Sequence, residues 1–139
     1  MHNPISLDTL AAALAYAIKI EAPKESAPAN ADLVKYIDEV FGERGADRIF
    51  MYNPDAVAQW IYEKYPQLMQ EVIKRCDIAL PMATVMPSVT PVCFGTMYTG
   101  AQPAVHGIQK YEKQTGVTDG ITVAIGSAMS HLLMTSCIS

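Results

Sequence analysis

Residues 84–108 read TVMPSVTPVCFGTMYTGAQPAVHGI, and the fold reading starts there. Thr90 stands directly before Pro91, an apolar run follows, and Gly100 ends it. Thr as cap, Pro at the first helical position and Gly just past the last turn are the start and stop signals of a short helix. A proline-bounded turn then leads to His106 and Gly107. The Thr90 hydroxyl is expected at the positive end of that helix, where backbone N–H groups favour an anion such as phosphate. A plain capping role explains the same pattern. Cys93 lies one turn further in, where packing is its expected use. The Met and Tyr residues of the helix read as core, and His106 as a side chain held by structural hydrogen bonds.

Upstream, residues 77–81 and 84–86 read as short extended segments around Pro81. Residues 67–75 and 56–65 read as helices, the latter with Val57, Trp60 and Ile61 on one side. The run RIFMY at 48–52 is short, apolar and bounded by turn residues, as expected of a buried strand in a parallel sheet. Asn53-Pro54-Asp55 follows as a turn. Asp55 is thus expected between the carboxyl end of a strand and the start of a helix. In open α/β sheets ligands bind along that edge. Asp is also an excellent helix cap, so both uses stay open.

Two further helices precede this succession. Residues 7–20 are Ala-rich, with Ser6 as cap and Leu10, Leu14, Ala17 and Ile18 on one apolar face. Residues 31–41 follow Asn30 as cap, with Leu33, Tyr36, Ile37, Val40 and Phe41 at helical spacing. Gly42 and Gly45 stop the second helix, residues 21–30 form a loop, and residues 1–6 read as a loose start. Both helices are expected to pack, or to decorate the domain that follows.

The whole chain has 139 residues, half of them apolar, and a formal net charge of −4. That suffices for one small domain with a core. The acidic balance argues against a nucleic-acid partner bound by phosphate neutralisation. Cys76, Cys93 and Cys137 form no zinc-type spacing, and free thiols in a reducing compartment are expected. The apolar stretch 9–18 lacks a preceding basic region and falls short of the roughly 20 residues a membrane helix needs. A cytoplasmic setting away from the membrane is the expectation.

The central stretch resembles the alkaline phosphatase superfamily, in particular its type I phosphodiesterase/nucleotide pyrophosphatase branch. That branch has a proline-led segment with a nucleophilic Thr or Ser at a helix start, a Thr-Gly about ten residues on, and Pro-x-x-His-Gly-Ile. Here Met86-Pro87-Ser88-Val89-Thr90, Thr99-Gly100 and Pro103-Ala104-Val105-His106-Gly107-Ile108 supply the three parts without a gap. The resemblance is tight over 84–108 and extends loosely back to Arg48. The family's first strand ends in a metal-binding Asp, usually followed by Gly; RIFMYNPD puts Asp55 there, followed by Ala56.

The resemblance implies a phosphoester hydrolase with two divalent metal ions, usually zinc. Thr90 would be the nucleophile and a metal contact, and Asp55 a metal ligand. The substrate would be a phosphoester or nucleotide. The implied fold class is α/β, a partial alkaline-phosphatase-like wound sheet with a helical N-terminal segment. The expected organisation is a helical segment 1–45, the N-terminal part of the hydrolase domain 46–113, and an atypical tail 114–139. Each zinc needs about four ligands. The family supplies further Asp and His ligands downstream, and after His106 the chain offers only Asp119 and His131 of those types. The tail, with a possible strand at 121–125 and helix at 127–134, does not continue the family pattern. The expectation is therefore a truncated piece, inactive alone, whose reading frame leaves the family sequence near Lys113. Two rivals stand beside it, a non-catalytic α/β anion-binding module and a helical interaction protein.

Overall fold

The computed structural model of the chain describes residues 5–54, 57–76 and 79–110. Ile5–Ser6 (β1) pairs in parallel with Met82–Ala83 (β2), Ile5 opposite Met82 and Ser6 opposite Ala83. A single 3₁₀ turn, Leu7–Thr9, leads from β1 into α1 (Leu10–Ala17). The Thr9 hydroxyl donates to the Ser6 carbonyl oxygen at 2.7 Å and closes that turn. The remaining elements are α2 (Ala31–Phe41), α3 (Gln59–Lys64), α4 (Gln70–Ile73), α5 (Thr90–Thr99) and α6 (Pro103–His106).

Two small cores join α1, α2 and α5. The first joins Leu7, Val85 and Val92, with Leu10, Cys93, Met97 and Ile108 packed against it. It fastens the turn after β1 and the segment after β2 to α5. The second joins Ala13, Ala17 and Ile37, with Tyr16, Leu33, Phe41 and Ile49 around it. It seats α2 on α1. On α1 the buried residues are Ala11, Ala12, Ala13, Ala15 and Ala17, while Leu10, Leu14 and Ile18 are only half-buried. The expected Leu/Ile face thus gives way to an alanine face. With α2 and α5 both packed on α1, small side chains let neighbouring backbones approach closely.

The Asn30 cap forms as expected. Its side-chain oxygen accepts from the backbone N–H groups of Asp32 at 2.9 Å and Leu33 at 3.3 Å. That satisfies two of the donors a helix start leaves over. Gly42 and Gly45 follow α2 with positive φ, and Ala46 N–H then bonds the Ala17 carbonyl oxygen at 2.7 Å.

Several expectations need correction. Residues 48–52 form no strand. Ile49 instead packs on the α1–α2 core, while Phe50 is 51 % and Tyr52 46 % exposed. An apolar run becomes a buried strand only where a neighbouring strand offers its ladder. The only strands among the described residues are β1 and β2. The loose start gives way at Ile5 and Ser6 to β1. The helix expected at 56–65 shortens to α3, and that at 67–75 divides into a 3₁₀ turn, Pro66–Leu68, and α4. What stands is a mixed helical chain with a two-stranded parallel sheet. Asp55, Asp119, His131, Cys137 and the possible elements at 121–125 and 127–134 lie outside the described residues.

Candidate active site

Helix α5 is built as its punctuation predicts, with its first residue shifted by one. The first i→i−4 bond runs from Cys93 N–H to the Val89 carbonyl oxygen at 3.0 Å, so Val89 is the cap and Thr90 opens the first turn. Val89 is extended, with φ −117° and ψ 150°, and offers no side-chain acceptor to the helix start. Thr90 is therefore not the cap. Its side chain is exposed, and the end of α5 beside it carries the positive pole of the backbone dipoles. At the other end Gly100 adopts the left-handed conformation, φ 70°, and its N–H bonds the Thr96 carbonyl oxygen at 2.8 Å.

Thr90 lines a cleft of about 880 Å³. Ser88, Val89, Pro91 and Cys93 line it on the same side, and Met82 and Thr84 line it from β2 and the residues after it. Asn53, Pro54, Val57 and Ala58 line it as well. Asn53 is tied to α5, its side-chain amide donating to the Tyr98 hydroxyl at 3.4 Å. Asn53, Pro54, Val57 and Ala58 thus share a cleft with Thr90. Cys93 lies three residues after Thr90, on the same helix face, and its sulfur is 3.2 Å from the Thr84 hydroxyl. Ser88, Thr84 and Asn53 were not singled out from sequence. Ser88 carried a signal, since it stands two residues before Thr90 in the quoted stretch.

His106 is placed away from that cleft, against the middle of α5. Ile108 N–H donates to its Nδ1 at 3.1 Å, so Nδ1 is unprotonated and the ring proton sits on Nε2. Nε2 in turn donates to the Thr96 hydroxyl oxygen, 3.0 Å away. Both ring nitrogens are used structurally, as read from the sequence. Thr96 is completely buried, so this hydrogen bond satisfies a polar side chain inside the fold.

Burial holds the His106 imidazole below its ordinary value of 6.5, against a smaller opposing backbone hydrogen bond. Folding therefore favours the neutral ring. The resulting stability is fully present above about pH 6.5 and is lost as pH falls through that value toward the lower folded pKa. The urea midpoint of the wild type should fall between pH 7 and pH 5 more steeply than that of His106→Gln. Parallel curves for the two proteins would show that the ring does not titrate against the fold.

The described residues do not fit a two-metal centre. No three His, Cys, Asp or Glu side chains come together among them, and no carboxylate or imidazole lies among the described residues of the cleft wall. No helix among the described residues is long and apolar enough to cross a membrane.

The family model for type I phosphodiesterase / nucleotide pyrophosphatase matches residues 52–121, half of the chain. The chain belongs to this family. The phosphodiesterase match begins at the cleft wall around Tyr52, takes in Asp55, Thr90, the whole of α5 and the His106 turn, and runs past Lys113. No curated protein and no solved structure matches the chain.

Proposed function

We propose that this chain carries the nucleophile segment of a phosphodiesterase/nucleotide pyrophosphatase-type hydrolase, with Thr90 as the attacking group and a phosphoester or nucleotide as substrate. One observation carries the reading: within the family-matched residues, Thr90 is exposed in the first turn of a ten-residue helix and lines a cleft large enough for a small ligand. In the proposed reaction the Thr90 oxygen bonds phosphorus as the bond from phosphorus to the leaving alcohol breaks. The threonine proton passes to solvent, and solvent returns a proton to the departing alkoxide. Water then cleaves the phosphothreonine ester and restores the hydroxyl. The helix start favours the negative charge of the phosphoryl oxygens.

Asp55 as a metal ligand and two divalent ions, zinc in the family pattern, belong to the same proposal. So does a fuller wound sheet. The described residues do not assemble the donors for a metal pair. Little or no turnover is the expected behaviour of this chain alone; the non-catalytic anion-binding module stands as a separate rival reading. The same proposal keeps a helical segment 1–45, a hydrolase-like unit 46–113 and a tail 114–139, with the family match reaching to residue 121 inside that tail. Cys76 and Cys93 are free thiols, which fits a reducing, cytoplasmic compartment.

Orthovanadate, which adopts the five-coordinate geometry of phosphorus under attack, is expected to raise the melting temperature of the wild type and not of Thr90→Ala. No rise in the wild type would overturn the assignment. Release of p-nitrophenolate from bis-p-nitrophenyl phosphate with added zinc, lost in Thr90→Ala, would extend it from binding to turnover.

A further inference from the structure

Asp8 is nine-tenths buried, and it lies far outside the family-matched residues. One carboxylate oxygen, Oδ2, accepts from the Gln102 side-chain amide, a link across 94 residues of sequence. The other, Oδ1, is buried with no hydrogen-bond partner. Burying a half-satisfied carboxyl group costs free energy, and such a group persists where its one remaining contact does something for the fold or the site. The contact joins two particular places. Asp8 lies in the 3₁₀ turn that also carries Leu7, and Leu7 packs with Val92 and Cys93 of α5. Gln102 sits in the turn that ends α5, where Ala27 N–H also bonds the Gly100 carbonyl oxygen at 2.8 Å.

We propose that Asp8 is a positioning residue for Thr90: through Gln102 it clamps the end of α5 to the segment after β1, and so fixes how the opposite end of the helix meets the cleft. A ten-residue helix is a stiff rod about 15 Å long. Holding its last turn sets the tilt of its first. Asp8 touches nothing that would be bound in the cleft, so its effect passes wholly through α5. Its catalytic meaning rests on the Thr90 reading, but its structural effect does not.

Cys93 gives a readout independent of activity. It is half-buried, lines the cleft and packs on the Leu7 core, so its thiol becomes more accessible when the Leu7–Thr9 turn parts from α5. Native-state alkylation by iodoacetamide, followed site by site by mass spectrometry, is the experiment. In Asp8→Ala the Cys93 rate is expected to rise about fivefold, as loss of one ordinary hydrogen bond shifts a local opening. The Cys76 rate stays unchanged. Asp8→Asn retains an acceptor for Gln102 and is expected to return the Cys93 rate to that of the wild type. Gln102→Ala, at an exposed position, should reproduce Asp8→Ala, and the double variant should add nothing further.

Should Asp8→Ala fail to fold, Gln102→Ala decides. A wild-type Cys93 rate in Gln102→Ala overturns the proposal, as does Asp8→Asn behaving like Asp8→Ala. A missing vanadate effect in the wild type would remove the Thr90 reading and leave the cysteine result standing, so the two failures are told apart.

Discussion

Gly100→Ala is expected to destabilise the chain by about 3 kcal/mol or more, because two costs add at one position. The backbone there has φ 70°, which an L side chain pays roughly 1–2 kcal/mol to adopt. The added methyl would also fall on the Ser26 Cβ and lie 3.1 Å from both the Ala11 Cβ and the Ser26 Cα. Relief would push away the loop that donates Ala27 N–H to the Gly100 carbonyl oxygen, or move α1 off α5. Neither movement is small, since one breaks a backbone hydrogen bond and the other opens a packed helix face. The melting temperature should fall by about 10 °C or more, on the scale of a small domain. A denaturant melt within about 0.5 kcal/mol of the wild type would mean that Gly100 is not held as described.

Gly95→Ala should cost about 2–3 kcal/mol by a different route. Gly95 is an ordinary helical residue, and its bare Cα is what lets the His106 ring lie against α5. A Cβ there would stand 2.7 Å from His106 Cε1, 2.9 Å from Nδ1 and 3.1 Å from Ile108 Cδ1. The ring cannot swing aside cheaply, because it is held on one edge by Ile108 N–H and on the other by Thr96. Displacing it leaves the buried Thr96 hydroxyl without that bond. The check is a cycle with His106→Ala. If the clash is with the ring, Gly95→Ala should be markedly less damaging once the ring is gone. Equal costs in both backgrounds would refute this cause.

How far the sequence could be read follows from how local each feature is. The extent of α5 was legible because Pro91 and Gly100 act within a turn of where they stand. The structural role of His106 was legible for the same reason, its partners being Thr96 and Ile108. Asn30 could be read as a cap from its own side chain. The position of Thr90 at the positive end of α5 followed from the same local punctuation, although its displacement from cap to first turn depended on which carbonyl Cys93 chose. The cleft it lines depended on residues distant in sequence such as Asn53. By contrast, RIFMY at 48–52 has the composition of a strand, and nothing in those five residues says that Ile49 will turn to the α1–α2 core. β1 is two residues long and finds its partner in Met82–Ala83, too brief and too distant for a periodicity to register. The Asp8–Gln102 link gave no sequence signal, since a lone Asp after Leu looks the same whether buried or solvated. The family match added what physics could not, a single family range that spans both Asp55 and Thr90.

The alanine face of α1 has one more implication. A methyl is the smallest group that still keeps good helix propensity; going down to glycine loosens the coil, and going up to valine or leucine wedges its neighbours apart. The gap between α1 and the two helices beside it is thus gauged from both directions. Sequence drift along that seam should stay among the tiniest residues.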